Sequence, residues 1–294
     1  MRRLRALVIY IVAVFIGGAL LAPPLYWLGQ HLTRIAPKLA TEPFHRYVDR
    51  SILGIALLGL WPLVKSLGFA SVTEIGLVSP RGQWKRLAGG FLFGLFSLAI
   101  IAGTAFAFHA RVLNSKLSGA DIAHKLFSAA ATAIIVAILE EILFRGALFG
   151  SLRKVFHWFF ALVISSLFYA LMHYFKSADI TGPVTWLSGL QLLPLMFQNL
   201  ADFQAMVPGF FNLTLAGILL AWAYQRTGNL YFSIGLHGGW IFWIKAYAAV
   251  SGSAPQANLW LWGKGSMAIV NGWIALPVLL LSLMVFPKAV PEKP

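Results

Sequence analysis

The sequence predicts an all-α fold: a polytopic transmembrane helix bundle of about eight helices in a single membrane domain spanning residues 1–294. Of the 294 residues, 59% are hydrophobic and 11% are charged, whereas about a quarter of a soluble domain is charged. Apolar runs long enough to cross a hydrocarbon core of about 30 Å recur along the whole chain. No polar linker divides them, so no separate soluble domain is expected.

The predicted spans are 7–28, 52–70, 87–108, 127–149, 156–175, 206–224, 230–250 and 267–286. Arg2, Arg3 and Arg5 precede the first run in the charge order of a signal peptide. That run is as long as a spanning helix and no clear cleavage site follows, so we expect an uncleaved first helix. An even number of spans places both termini on one side. Basic residues near the N-terminus and in the loops favour the cytoplasmic side, in the inner membrane if the source is prokaryotic.

Cysteine usage and charge exclude several classes of function. The chain has no cysteine, which excludes disulfides, thiolate metal sites and cysteine nucleophiles. Its formal net charge of +14 is scattered over many short loops rather than concentrated in a basic patch. Nucleic acid is therefore not an expected partner, and the lipid bilayer is.

Two groups of glycines predict close helix packing. Gly89, Gly90 and Gly94 lie in the third predicted span, and Gly235, Gly238 and Gly239 lie in the seventh. Small residues let the backbones of neighbouring membrane helices approach closely. We expect these positions to be helix contacts.

Adjacent carboxylates in the fourth predicted span carry the strongest functional signal. Glu140 and Glu141 lie within an apolar helix, where an ionised carboxylate costs several kcal/mol. Arg145 follows Glu141 by four residues, so the two share a helix face and can pair. Glu140 points about 100° away. One arginine balances one carboxylate, so the second needs another cation, a proton or a metal.

Histidines in two other predicted spans can complete a site with Glu140. The helix rise of about 1.5 Å per residue allows Glu140, His173 and His237 to share one depth. Such a set can activate water through a glutamate base, or through zinc held by Glu140, His173 and His237. His237, flanked by glycines, can alternatively donate to an oxyanion beside a peptide backbone.

Three segments resemble the motifs of one family. Glu140-Glu141-Ile-Leu-Phe-Arg145 is similar to the EExxxR signature of the CAAX protease and bacteriocin-processing (abortive-infection) family. The segment from Tyr169 to His173 resembles its FxxxH motif, with tyrosine in place of phenylalanine. His237 resembles the histidine of its HxxxN or HxxxD motif, but Ile241 stands where the polar residue is expected. The resemblance covers a core of about 127–245.

The resemblance implies an intramembrane endopeptidase that hydrolyses CAAX-type or other membrane-associated protein tails, with lipid-modified substrates among them. It implies that Glu140 and His173 activate water, that Glu141 and Arg145 support the site, and that His237 holds the oxyanion. Zinc is one implied cofactor, and a metal-free glutamate mechanism is the other. A proton- or ion-coupled transporter remains an alternative, since intramembrane ionisable residues also build proton relays. So does an impaired immunity or scaffold protein of this fold.

Overall fold

The computed structural model describes residues 2–32, 34–175, 180, 182–200 and 203–290. Across these residues the regular secondary structure is helical apart from two strands of three residues each, which pair with one another. The predicted all-α helix bundle is confirmed.

The first half of the chain contains α1 (Arg2–His31), α2 (Pro37–Ala40), α3 (Phe44–Ser66), α4 (Trp84–Ala107), α5 (Gly119–Glu141), a π-helix (Ile142–Phe149) and α6 (Gly150–Leu152). The second half contains α7 (Trp158–Met172), α8 (Ser188–Leu195), α9 (Phe203–Thr227), α10 (Tyr231–Val250), α11 (Leu259–Trp262), α12 (Ala268–Asn271) and α13 (Ala275–Ala289). Two short 3-10 turns cover Met196–Leu200 and Gly265–Met267. Strands β1 (Arg111–Leu113) and β2 (Ser251–Ser253) form an antiparallel ribbon.

All eight predicted apolar runs fall on helices, and the chain is an integral membrane protein. Within the described residues, five helices are long and apolar enough to cross a membrane, and α12 with α13 adds a sixth candidate span bent by 52°. Helix α7 is shorter than these candidate spans, and its 15 residues rise only about 22 Å. Helix α10 carries His237, Lys245 and several glycines and is largely buried by protein. It therefore has less need of lipid-facing apolar side chains than an outer helix.

The chain divides into two compact units. The first unit comprises residues 1–70 and 172–202, and the second comprises 71–171 and 203–294. In the first unit, the backbone of α1 at Gly18 lies against Ile52 of α3, and Gly189 of α8 lies against Ala19 of α1. The Tyr10 hydroxyl donates a hydrogen bond of 2.6 Å to the Ala56 carbonyl, joining the same two helices.

Glycine contacts hold α4 against α10 in the second unit. A Cβ atom added at Gly90 or Gly94 of α4 would collide with the backbone of α10, and one added at Gly235 or Gly239 would collide with the backbone of α4. The Trp240 indole donates to the hydroxyl of Ser97 at 2.8 Å across the same contact. The predicted role in packing is confirmed for these four glycines, which fix the depth at which α10 presents His237. An added Cβ at Gly89 or Gly238 would meet nothing closer than 3.8 Å.

Candidate active site

The site begins where α5 changes its helical geometry. A capping box starts this helix: Ser118 Oγ accepts a hydrogen bond from the Asp121 amide, and the Asp121 carboxylate accepts one from the Ser118 amide. The α-helix ends at Glu141, and the chain continues as a π-helix that contains Arg145. The apolar run predicts one continuous helix but not this change of winding. π-Turns inside α-helices occur frequently at functional sites.

Glu141 and Arg145 form the ion pair that their spacing predicts. Arg145 Nη1 lies 2.9 Å from Glu141 Oε1, and the side chains are 2% and 0% exposed. The guanidinium carbon also lies 4.3 Å from the centre of the Tyr169 ring, within the range of a cation–π contact. The pair is therefore fully removed from solvent and lipid.

His237 lies between the two carboxylates. Its Nδ1 is 2.8 Å from Glu141 Oε1, and its Nε2 is 3.8 Å from Glu140 Oε2. The sequence predicts that Glu141 pairs along its own helix while Glu140 faces His173 and His237. The structure adds a hydrogen bond from α10 to Glu141, so Glu141 orients the imidazole as well as pairing with Arg145.

Glu141 contacts both Arg145 and His237, and this shared contact determines which imidazole nitrogen carries a proton. Glu141 Oε1 accepts from the guanidinium of Arg145, which is always charged, so Glu141 acts as a carboxylate. A carboxylate only accepts hydrogen bonds, and His237 Nδ1 must therefore donate. Nε2 is left to face Glu140 and the hydroxyl of Tyr169, which lies 3.3 Å away.

Several polar atoms at this centre are buried without a hydrogen-bond partner. Among the described residues they include Glu140 Oε2, Glu141 Oε2 and Arg145 Nη2. Such atoms are rare in native proteins and often mark a catalytic role or a bound water. The Glu140 side chain is 29% exposed, whereas Glu141 is fully buried. Glu140 is thus the carboxylate that an incoming molecule can reach.

His173 follows the last residue of α7 and belongs to the first unit, whereas Glu140, Glu141, Arg145 and His237 belong to the second. Its predicted role therefore stays a prediction. Within the second unit the Glu140 carboxylate and His237 Nε2 face one another and can donate to a metal, whereas Nδ1 is bound to Glu141. Catalytic zinc sites use three protein ligands. No group of three or more potential ligand residues is assembled within the part of the chain that the structure describes.

Two expectations about the surroundings of His237 need correction or addition. The glycines beside it were expected to leave room for a peptide backbone, but α4 fills the space at Gly235 and Gly239. Gly235 and Gly238 both line an apolar cavity, but only at Gly238 would an added Cβ find nothing closer than 3.8 Å. Ile241 is buried one turn after His237 on α10. The ring of Tyr169 contacts Arg145 and its hydroxyl contacts His237. In the sequence, this residue stands out only as a departure from FxxxH. Its contact with His237 spans two helices and has no signature in sequence spacing.

Comparison with protein families identifies the segment that contains this site. Residues 122–243 match the type II CAAX prenyl endopeptidase Rce1-like family. This part of the chain is similar to that family. The Rce1-like segment includes Glu140, Glu141, Arg145, His173 and His237, and its identification confirms the resemblance in the motifs. Comparisons with curated proteins and with solved structures found no match.

Proposed function

We propose that this chain is an intramembrane endopeptidase that hydrolyses a peptide bond at Glu140 and His237. The supporting observation is the 3.8 Å separation of Glu140 Oε2 and His237 Nε2, with the imidazole oriented through Nδ1 by Glu141. A base and a hydrogen-bond donor this close can act on one reacting carbonyl group. The match of residues 122–243 to the Rce1-like family supports the same reaction class.

Charge balance supports the division of roles. The cluster holds two carboxylates and one guanidinium, so a proton on His237 makes it neutral overall, as a site inside a membrane favours. Glu140 then accepts a proton from water while the water oxygen attacks the carbonyl carbon. The N–H at Nε2 of His237 donates to the oxygen that becomes negative. Glu140 passes its proton to the departing amine as the C–N bond breaks.

His173 belongs to this proposal through the family motif rather than through a measured contact. The motifs assign it to water activation beside Glu140, and the zinc-dependent version of the reaction makes it the third metal ligand. Metal content of the purified protein, measured by mass spectrometry, distinguishes the two versions. His124 is an exposed histidine near the start of α5, so His124→Ala is the matched control for His173→Ala.

An apolar cavity beside the site supports a substrate with a lipid or strongly apolar part. The cavity has a volume of about 530 Å³ and lies among α4, α5 and α10, within the range of about 300–1,000 Å³ common for ligand pockets. Ala137, one turn before Glu141, and Gly238, next to His237, both line it. We propose that this cavity receives the apolar part of a protein tail.

We also propose that several helices of the chain cross the membrane, with both termini in the cytoplasm.

The proposal is tested by incubating purified protein in lipid nanodiscs with CAAX-type peptides that are either farnesylated or unmodified. Mass spectrometry of the products locates the cleaved bond. Glu140→Gln should lower cleavage at least about 100-fold, because a positioned general base contributes that much or more. The matched control is Glu74→Gln, which changes a carboxylate with 44% of its side chain exposed. Equal cleavage by wild type and Glu140→Gln would contradict the proposal. Ala130→Trp, which fills the cavity, should raise KM for the farnesylated peptide more than for the unmodified one.

A further inference from the structure

Tyr169 brings a hydroxyl group to a position where the resembled motif has phenylalanine. The residue lies near the end of α7 and is 3% exposed. Its hydroxyl oxygen lies 3.3 Å from Nε2 of His237, and its ring packs against the guanidinium of Arg145 at 4.3 Å. Ring and hydroxyl therefore contact two different members of the charged cluster.

The opposite departure occurs one turn after His237. Ile241 shares a helix face with His237, because the two are four residues apart on α10. Its side chain is buried and has no donor or acceptor, so it cannot hold an imidazole nitrogen. Relative to the resembled motifs, the chain therefore lacks a polar group on α10 and has an additional one on α7, next to the same imidazole.

We propose that Tyr169 is a positioning residue that replaces the missing polar partner of His237. With Nδ1 bound to Glu141 and Nε2 bound to the tyrosine hydroxyl, both ring nitrogens are held. A hydroxyl donates to a bare Nε2 and accepts from a protonated one. Tyr169 can therefore hold the ring whether Nε2 is bare or protonated, which phenylalanine cannot do.

Before an oxyanion forms, the hydroxyl also gives the Nε2 proton a partner other than Glu140. Nε2 and Glu140 Oε2 are 3.8 Å apart, too far for a hydrogen bond but close enough to form one after a small ring rotation. Such a bond would use one of the acceptor sites of the Glu140 carboxylate and stabilise its charged form, which would make it a weaker base. The contact with Tyr169 opposes that rotation and leaves Glu140 available to water.

A cycle of four proteins tests this inference, which rests on the proposed function in its activity measurements. Tyr169→Phe should lower kcat about tenfold with little change in KM, because one hydrogen bond to the catalytic imidazole is lost. Ile241→Asn should have little effect while Tyr169 is present. In the double variant, Ile241→Asn should restore most of the lost kcat, because the amide supplies a new partner one turn from His237.

The matched control is Tyr231→Phe, which removes a hydroxyl that donates to the Val78 carbonyl at 2.9 Å, away from the charged cluster. It should leave kcat unchanged. The inference is overturned if Tyr169→Phe cleaves as fast as wild type. It is also overturned if the double variant is no faster than Tyr169→Phe, since a purely structural tyrosine would not be rescued by a polar residue on another helix.

Nitrogen NMR of 15N-histidine-labelled protein tests the contact without any activity. The His237 signals are assigned by their loss in His237→Gln, and Tyr169→Phe should shift Nε2 more than Nδ1. An unchanged Nε2 signal would refute the hydrogen bond. If the wild type cleaves nothing, the proposed function fails, and the nitrogen shifts still decide whether Tyr169 holds His237.

Discussion

Arg145→Met removes the guanidinium that pairs with Glu141 and leaves a buried carboxylate with one partner fewer. The pair is 2.9 Å long and its side chains are 2% and 0% exposed, so water cannot replace the lost charge. Removing one partner of a buried ion pair costs about 3–5 kcal/mol. The surrounding membrane makes the remaining charge harder to accommodate. We therefore expect a cost in the upper part of that range.

The assay is thermal unfolding in detergent, followed by the fluorescence of the 11 tryptophans. A loss of this size should lower the apparent midpoint by about 10 °C. The double variant Glu141→Gln with Arg145→Met should recover part of the loss, because it removes the orphaned charge. Arg50→Met is the control, since Arg50 contacts Glu42 at 2.8 Å but both side chains are solvent-accessible. It should leave the midpoint nearly unchanged. An Arg145→Met protein as stable as wild type would refute the assignment of this pair as a buried ionic anchor.

Three further substitutions test the packing that presents the site. Gly94→Val should destabilise the protein by about 1–3 kcal/mol or more, because its Cβ would meet the α10 backbone. The control is Gly103→Ala on the same helix, where an added Cβ meets open space. This control should leave the midpoint of the same unfolding assay unchanged. Asn212→Leu should cost about 2 kcal/mol, since its amide donates to the carbonyls of Val270 and Gly272; equal midpoints would contradict this role. Ser118→Ala should cost about 1 kcal/mol, because α5 loses its N-terminal cap. A larger decrease in the unfolding midpoint for Ser118→Ala than for Gly94→Val would contradict this ranking.

The helices and part of the site follow from the sequence because they depend on local patterns. Apolar runs specify the spans, and the four-residue spacing of Glu141 and Arg145 specifies their ion pair. Glycine patterns indicate that α4 and α10 each pack closely against a neighbour. The pattern does not identify that neighbour, because any helix with a smooth face would serve.

The remaining features depend on contacts between helices. Nothing in the spacing of Glu141 and His237, 96 residues apart, indicates that Nδ1 binds Glu141 while Nε2 faces Glu140. The π-helix that carries Arg145 requires a different hydrogen-bond register, which an apolar run accommodates as readily as an α-helix. The contact of the Tyr169 hydroxyl with His237 can be recognised only when the relative placement of α7 and α10 is known.

The central claim is that Glu140 and His237 act on one reacting group, and a double-substitution cycle on single-turnover cleavage tests it most directly. Residues that work as a unit have strongly non-additive effects on rate. Glu140→Gln and His237→Gln should therefore each abolish most cleavage, and the combined variant should be little slower than the worse single variant. Unfolding midpoints close to that of wild type confirm that all three variants are folded. Independent, multiplicative losses in the folded variants, or no loss in either single variant, would contradict the account.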